Sequence, residues 1–147
     1  VGRIVETGEF TARLQLITDS AFHVDALIWR DPAMHRKVLI KRGNTAAMEP
    51  LTRENNELVP VRAEGDGKEG LIVREVFADR GVLPGDWLVT SGNDHFMPDR
   101  VRIGRVKEVR GDPKHPALVT LHVEPYANLQ SLREVFIVLP LRTSEAP

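Results

Sequence analysis

Serine, histidine and aspartate are the residues that would make this chain a hydrolase, and Ser20, Ser91, His23, His95, Asp19 and Asp86 supply them. A Ser-His-Asp relay needs the three side chains to converge, the imidazole activating the serine and the carboxylate orienting the imidazole. No Gly-Asp-Ser-Gly or Gly-x-Ser-x-Gly surrounds any serine, so none carries the sharp-turn signature of a nucleophile. Ser91 ends an apolar run and precedes Gly92, an ordinary strand terminus. Metal chemistry fares no better. The five histidines, at 23, 35, 95, 115 and 122, lie far apart and show no paired ligand spacing. "HFMPD", residues 95 to 99, brings a histidine and an aspartate together, but a proline-bearing loop accounts for that. The absence of cysteine excludes thiolate zinc, dithiol redox chemistry and disulfides. The expectation is a chain with no catalytic residues, no metal and no cofactor.

A third chemistry is charge. Arg100, Arg102, Arg105, Lys107 and Arg110 form a basic run. On an extended strand Arg100 and Arg102 share one face, with Val101 and Ile103 opposite. The plain reading is a solvated face. An RNA-binding barrel would add stacking aromatics, and only Phe96 is near. Such a strip can instead meet an acidic partner. The whole chain carries 20 basic and 21 acidic residues, a net charge of −1, which argues against binding nucleic acid or anionic membrane by bulk charge.

Short strands must position these residues. "VLPGDWLVTSG" (82 to 92) shows how they begin and end. Leu83-Pro84-Gly85-Asp86 reads as a type II turn, Pro84 fixing the first central residue and Gly85 supplying the positive φ of the second. Trp87 to Thr90 then reads as a strand stopped by Ser91-Gly92. Alternation puts Leu14 and Leu16 on one face, then Val24, Ala26 and Ile28, then Leu71, Val73 and Phe77, then Val119, Leu121 and Val123. "VFIVLPL" (135 to 141) is almost continuously apolar, as in a strand buried on both faces. Pro140 would blunt it as an edge. Trp29 and Trp87 lie on runs expected to be largely buried, and exposure of either would make it an interface anchor. About eight strands or more separated by turns mean an all-β chain. One short helix is expected in "NLQSLREV" (128 to 135), with Asn128 as N-cap. Residues 31 to 57 are the least regular. A strand is expected at Val38 to Lys41, with a surface excursion at 42 to 57, where Pro50 rules out one continuous helix. The last residues, 142 to 147, read as a disordered tail.

At 147 residues and 41% hydrophobic, the chain suits one ordinary domain or two small ones, and with 5% aromatics its core must be aliphatic. No apolar run approaches the roughly 18 residues of a membrane-spanning helix. An internal repeat favours two units. "VGRIVET" (1 to 7) matches "IGRVKEV" (103 to 109), and "ARLQLITD" (12 to 19) matches "ALVTLHVE" (117 to 124). Gly2 with Gly104, Arg3 with Arg105, Glu6 with Glu108, Ala12 with Ala117 and Leu16 with Leu121 are identical pairs. Each copy reads as a β-hairpin. The first copy lacks the strand that precedes the second, and the chain starts at Val1 rather than Met. A region upstream of Val1 is therefore expected.

"VLPGDWLVTSGNDHFMPDRVRIGRVKEV" followed by "LVTLHVEPYANLQSLREVFIV" resembles the rod shape-determining protein MreC family of bacteria. Thr90, Ser91, Gly92, Pro98, Gly104, Val106, Val123, Glu124 and Pro125 fall in register with its pattern. The opening "VGRIVETGEFTARLQLITD" resembles the preceding strands of that family. The chain departs from the pattern in three places. Asn93-Asp94-His95 stand where further glycines are usual, Pro98-Asp99-Arg100-Val101-Arg102 replaces a Pro-x-Gly-Leu-Pro, and the middle segment is expanded.

The resemblance implies two small β-barrel or sandwich domains, here 1–76 and 77–147 with the boundary at 76 to 81, between which strands can exchange. It implies a non-enzymatic scaffold on the extracytoplasmic, periplasmic face of the inner membrane, held there through an N-terminal anchor. The scaffold would self-associate and bind penicillin-binding and other shape-determining proteins. The partner-binding residues expected here are Phe96, Met97, Arg100 and Arg102, two apolar anchors beside two guanidinium groups, with Pro84, Gly85 and Asp86 as a structural turn. Plugging of a barrel end is the competing role for Phe96 and Met97. The alternatives are a nucleic-acid-binding or regulatory barrel and a trypsin-like double-barrel protease.

Overall fold

Alternating apolar runs cut by Gly, Pro and Asp form ten strands in the computed structural model, which describes residues 1–93 and 97–139. They are β1 (Gly2–Thr7), β2 (Ala12–Leu16), β3 (His23–Trp29), β4 (Lys37–Arg42), β5 (Thr45–Pro50), β6 (Val59–Gly65), β7 (Leu71–Phe77), β8 (Trp87–Thr90), β9 (Arg102–Asp112) and β10 (His115–Pro125). The chain is all-β. Its helical residues are 3-10 turns at Pro32–Met34, Ala78–Arg80 and Leu129–Ser131. Asn128 caps the last of these, its Oδ1 accepting from the Gln130 N–H at 3.1 Å, so the short helix expected near the C-terminus is a single turn.

Six strands close a barrel in the order β10-β7-β6-β3-β8-β9, and every pairing is antiparallel. Alternate residues point inward: Val24, Ala26 and Ile28 from β3, Leu71 and Val73 from β7, Leu88 and Thr90 from β8, Leu121 and Val123 from β10. Aliphatic side chains fill the interior with Phe22, as the sparse aromatics require. β7 pairs with β10 and β3 with β8, so strands from both sides of residues 76 to 81 share this barrel. In β7 the inward phase changes. Glu75 adopts φ 58° at a register shift, Val76 turns into the core, and Phe77, expected inward with Leu71 and Val73, is 58% exposed. A bulge inserts one residue and reverses every later side chain.

The repeat is structural. β1–β2 and β9–β10 are both antiparallel hairpins. Each has a bulge at the same repeat position: the ladder skips Val5 in one and Lys107 in the other. A Cβ on Gly2 would collide with the Gln15 carbonyl oxygen, and one on Gly104 with that of Glu124. The identical glycines thus serve one purpose, admitting the partner strand's backbone. The arginines that follow them both lie over aromatic rings, Arg3 at 5.3 Å from the Phe22 centroid and Arg105 at 4.5 Å from that of Trp87.

Two further expectations are corrected. The excursion at 42 to 57 contains a strand, because Gly43 (φ 60°) and Asn44 turn β4 back onto β5 as a ribbon. The apolar run at 135 to 141 is not a core strand in its described part. Residues 135 to 139 join no sheet, and Phe136, Ile137, Val138 and Leu139 are exposed. The closed barrel has no free edge to offer this run, and the run joins neither two-stranded ribbon. Pro140 and the tail at 142 to 147 lie outside the described residues.

A buried ion pair holds the connections together. The Leu83–Asp86 turn is closed by the Asp86 N–H donating to the Leu83 carbonyl at 3.2 Å, with Gly85 at φ 97°. The Asp86 carboxylate is fully buried. It takes a bidentate pair from Arg36, the Leu83 N–H at 2.8 Å and the Asp31 N–H at 3.1 Å. Arg36 also donates to the carbonyls of Gly81 (2.9 Å) and Asp31 (3.1 Å). Arg30, equally buried, donates to the carbonyls of Arg80 (2.8 Å) and Glu57 (2.9 Å). Two predictions follow from this packing. Arg36→Met strands a buried carboxylate and should cost about 3–5 kcal/mol in urea unfolding. Asp86→Asn, which keeps an acceptor oxygen, should cost less. Gly104→Ala should destabilise by about 1–3 kcal/mol, whereas Gly111→Ala, whose Cβ would meet nothing within 4 Å, should stay within about 0.5 kcal/mol. Equal midpoints for the two glycine variants would refute the close-approach role.

Candidate partner-binding face

The β3 phase that buries Val24, Ala26 and Ile28 turns Leu27 and Trp29 outward, and the β8 phase that buries Leu88 and Thr90 does the same for Trp87 and Val89. Cross-strand register aligns them. Trp29 lies opposite Trp87, and Trp87 opposite Arg105 of β9. Leu27 lies opposite Val89, and Val89 opposite Arg102. Directly opposed residues share a face, so the outer surface of β3, β8 and β9 carries two parallel rows, each apolar at one side and ending in a guanidinium.

The arginines are packed against rings. Arg105 lies 4.5 Å and Arg102 4.8 Å from the Trp87 centroid, and Arg102 lies 5.9 Å from that of Tyr126. Tyr126 meets Trp87 edge-on at 5.7 Å. This corrects the expectation for the tryptophans: Trp29 is 39% exposed and Trp87 is half-buried. The signal was in the sequence, since Trp29 is out of phase with the inward set Val24, Ala26 and Ile28.

The basic run divides by partner. Arg100 pairs with Asp99 at 3.3 Å. Arg110 donates to Glu108 at 2.7 Å, and that hydrogen bond holds the Glu108 carboxyl below its ordinary range. Arg102 and Arg105 have no carboxylate within ion-pair distance among the described residues. Glu124 lies opposite Arg105 in β10.

Of the four partner-binding residues expected from the sequence, Arg102 alone is part of this face. Met97 is half-buried against the barrel core. Arg100 stands on the neighbouring loop at φ 59°. Phe96 lies outside the described residues. Thr90 pins that loop: its hydroxyl donates to the Pro98 carbonyl and accepts from the Val101 N–H at 2.8 Å, while its carbonyl accepts from the Arg100 N–H at 3.1 Å.

The triad candidates are engaged separately. Asp86 is committed to Arg36, Asp19 accepts from the Ala21 N–H at 2.8 Å, His23 faces Glu64 at 3.7 Å, and the Ser91 hydroxyl accepts from the Asn93 N–H at 3.2 Å. His95 lies outside the described residues. No group of three or more His, Cys, Asp and Glu is placed to hold a metal among the described residues. A cavity of about 1040 Å³ is lined by residues that include Arg30, Leu39, Arg42, Glu49, Phe77 and Arg80. Two of its charged side chains are already engaged, Arg42 by Glu49 and Arg30 by backbone carbonyls. Burial, with Arg80 and Arg36 nearby, holds the Arg30 guanidinium below its ordinary value.

Comparison with known proteins agrees with the architecture. The family model described as rod shape-determining protein MreC, barrel core, matches residues 1–139. No curated protein matches the chain. One similar solved structure is an MreC, with a TM-score of 0.64 and 25% identity over 90% of this chain and 60% of that one. Another is MreC from Pseudomonas aeruginosa, with a TM-score of 0.59 and 26% identity over 84% of this chain and 63% of that one. The chain thus spans less than two thirds of either structure's length. It belongs to the rod shape-determining protein MreC family.

Proposed function

We propose that this chain is part of a scaffold for the bacterial cell-shape and wall-elongation machinery, acting by self-association and by binding penicillin-binding and other shape-determining proteins. It works on the periplasmic face of the inner membrane, attached through a membrane anchor elsewhere in the protein. The family match over residues 1–139 carries this reading. The exposed rows of Trp29, Trp87, Arg105 and Arg102 are consistent with it, since Trp, Tyr and Arg dominate the energetics of protein interfaces. They suit a nucleic-acid barrel less well, because the Trp87 ring already carries two guanidinium groups and base stacking needs an open ring face.

Depletion of the encoding gene in its host should turn rods into spheres, and re-expression should restore them. Re-expression of Ser91→Ala should restore rods fully, because binding and not hydrolysis is the activity. Arg100→Glu combined with Arg102→Glu should restore them poorly while the protein accumulates at normal levels. Cells that stay rod-shaped on depletion would overturn the scaffold reading, and full rescue by the arginine variant would move the contact surface off residues 97 to 102.

A further inference from the structure

We propose that the outer face of β3, β8 and β9 docks an extended segment of a partner protein in which carboxylates alternate with aliphatic side chains. This rests on reading the chain as a binding module, though not on which machinery it serves. The face has an apolar centre, made by Trp29 and Trp87 in one row and Leu27 and Val89 in the next. Exposed Pro60 of β6, opposite Leu27, extends the second row. Guanidinium groups border both rows, Arg105 beyond Trp87 and Arg102 beyond Val89.

Those two guanidiniums set the ligand's charge and shape. The Arg102 side chain makes no hydrogen bond among the described residues, and that of Arg105 makes one long contact, Nε to the Gly85 carbonyl at 3.4 Å. Their remaining N–H donors form planar forks, which carboxylates fit two oxygens at a time. Both side chains are already held over Trp87, so less rotamer freedom is lost when a ligand binds. Phosphate would also satisfy a guanidinium. The aliphatic row decides between the sources, because Leu27, Val89 and Pro60 gain from being covered by apolar side chains, which a phosphate or uronate polymer does not bring. Glu124 beside Arg105 repels acids on the β10 side, so the carboxylates approach from the β8 side. At the far end Asp25 and Arg62 lie opposite each other across β3 and β6, one charge of each sign with no ion pair between them among the described residues, so the net positive charge of the face lies on the β9 border.

The chain's two tryptophans are Trp29 and Trp87, both on this face, so intrinsic fluorescence reports on it directly. The test titrates the chain with a soluble synthetic peptide of alternating glutamate and leucine, its lysine-for-glutamate counterpart, and poly-glutamate. The glutamate–leucine peptide should produce a saturable change in emission that weakens with salt, and the lysine peptide should produce none. Arg102→Ala with Arg105→Ala, checked for an unchanged unfolding midpoint, should weaken binding by about tenfold or more. The double lysine variant should lose most of the same affinity, since an ammonium offers no planar fork. Unchanged binding by the double alanine variant, or an equal response to the lysine peptide, would overturn the proposal. Poly-glutamate binding as tightly as the mixed peptide would also overturn it, in favour of a surface for anionic polymers. None of these outcomes depends on rod shape in cells, so failure here and failure of the scaffold reading remain distinguishable.

Discussion

The Asp86 carboxylate is the point on which the barrel's irregular half turns. It is fully buried and accepts from Arg36 and from the backbone N–H groups of Leu83 and Asp31. A carboxylate taken out of water is costly unless every lone pair is engaged, and this one is engaged from two separate stretches of chain, the loop after β3 and the turn before β8. Its backbone is equally committed. The Val106 N–H donates to the Asp86 carbonyl at 2.8 Å, and the Gly85 N–H donates to the Val106 carbonyl at 2.7 Å. One residue therefore fixes the loop after β3, the turn before β8 and the start of the β8–β9 pairing.

The candidate face inherits its geometry from that point. Trp87 follows Asp86 directly, and Arg105 precedes Val106, so the hydrogen bonds between Asp86 and Val106 set the Trp87–Arg105 juxtaposition. The long contact of the Arg105 Nε to the Gly85 carbonyl draws the same turn into the cation–aromatic cluster. Thr90 does for the other end of β8 what Asp86 does for its start, tying down the loop that leads back to Arg102. A four-residue strand pinned at both ends is a rigid platform, and rigidity is what lets a few exposed aromatics and arginines act as anchors.

Much of this could be read from the chain. The Leu83–Asp86 turn, the β-strand period and the all-β class follow from residue types that act locally. The repeat was also legible, down to the glycine and arginine pairs. What stayed hidden depends on long-range partners. Nothing local marks Arg36 and Asp86 as a pair, because fifty residues of sequence separate them. "TAAMEP" has little strand propensity, and β5 exists because Gly43-Asn44 folds it back onto β4. The bulge at Glu75 that sends Phe77 outward cannot be seen from an alternating pattern that reads on unbroken. The apolar run at 135 to 139 has every local mark of a core strand, yet the barrel closes without it and it pairs with no other strand.

That last point separates the two copies of the repeat. Both hairpins use the same glycine for a close backbone approach, the same bulge position and the same arginine over a ring. Their lengths differ. β9 and β10 run eleven residues each and reach far enough to pair with β8 on one side and β7 on the other, burying Ile103, Val106, Leu121 and Val123. β1 and β2, with six and five residues, bury no side chain fully. They are tied to the barrel by Arg3 over Phe22 and by the chain continuing through buried Ile17. A two-stranded ribbon is marginal by itself, and the same hairpin chemistry forms barrel wall in the long copy and a two-stranded ribbon beside the barrel in the short one. Closure of the barrel leaves Val5 and Phe10 of that ribbon and Phe136 to Leu139 outside its core.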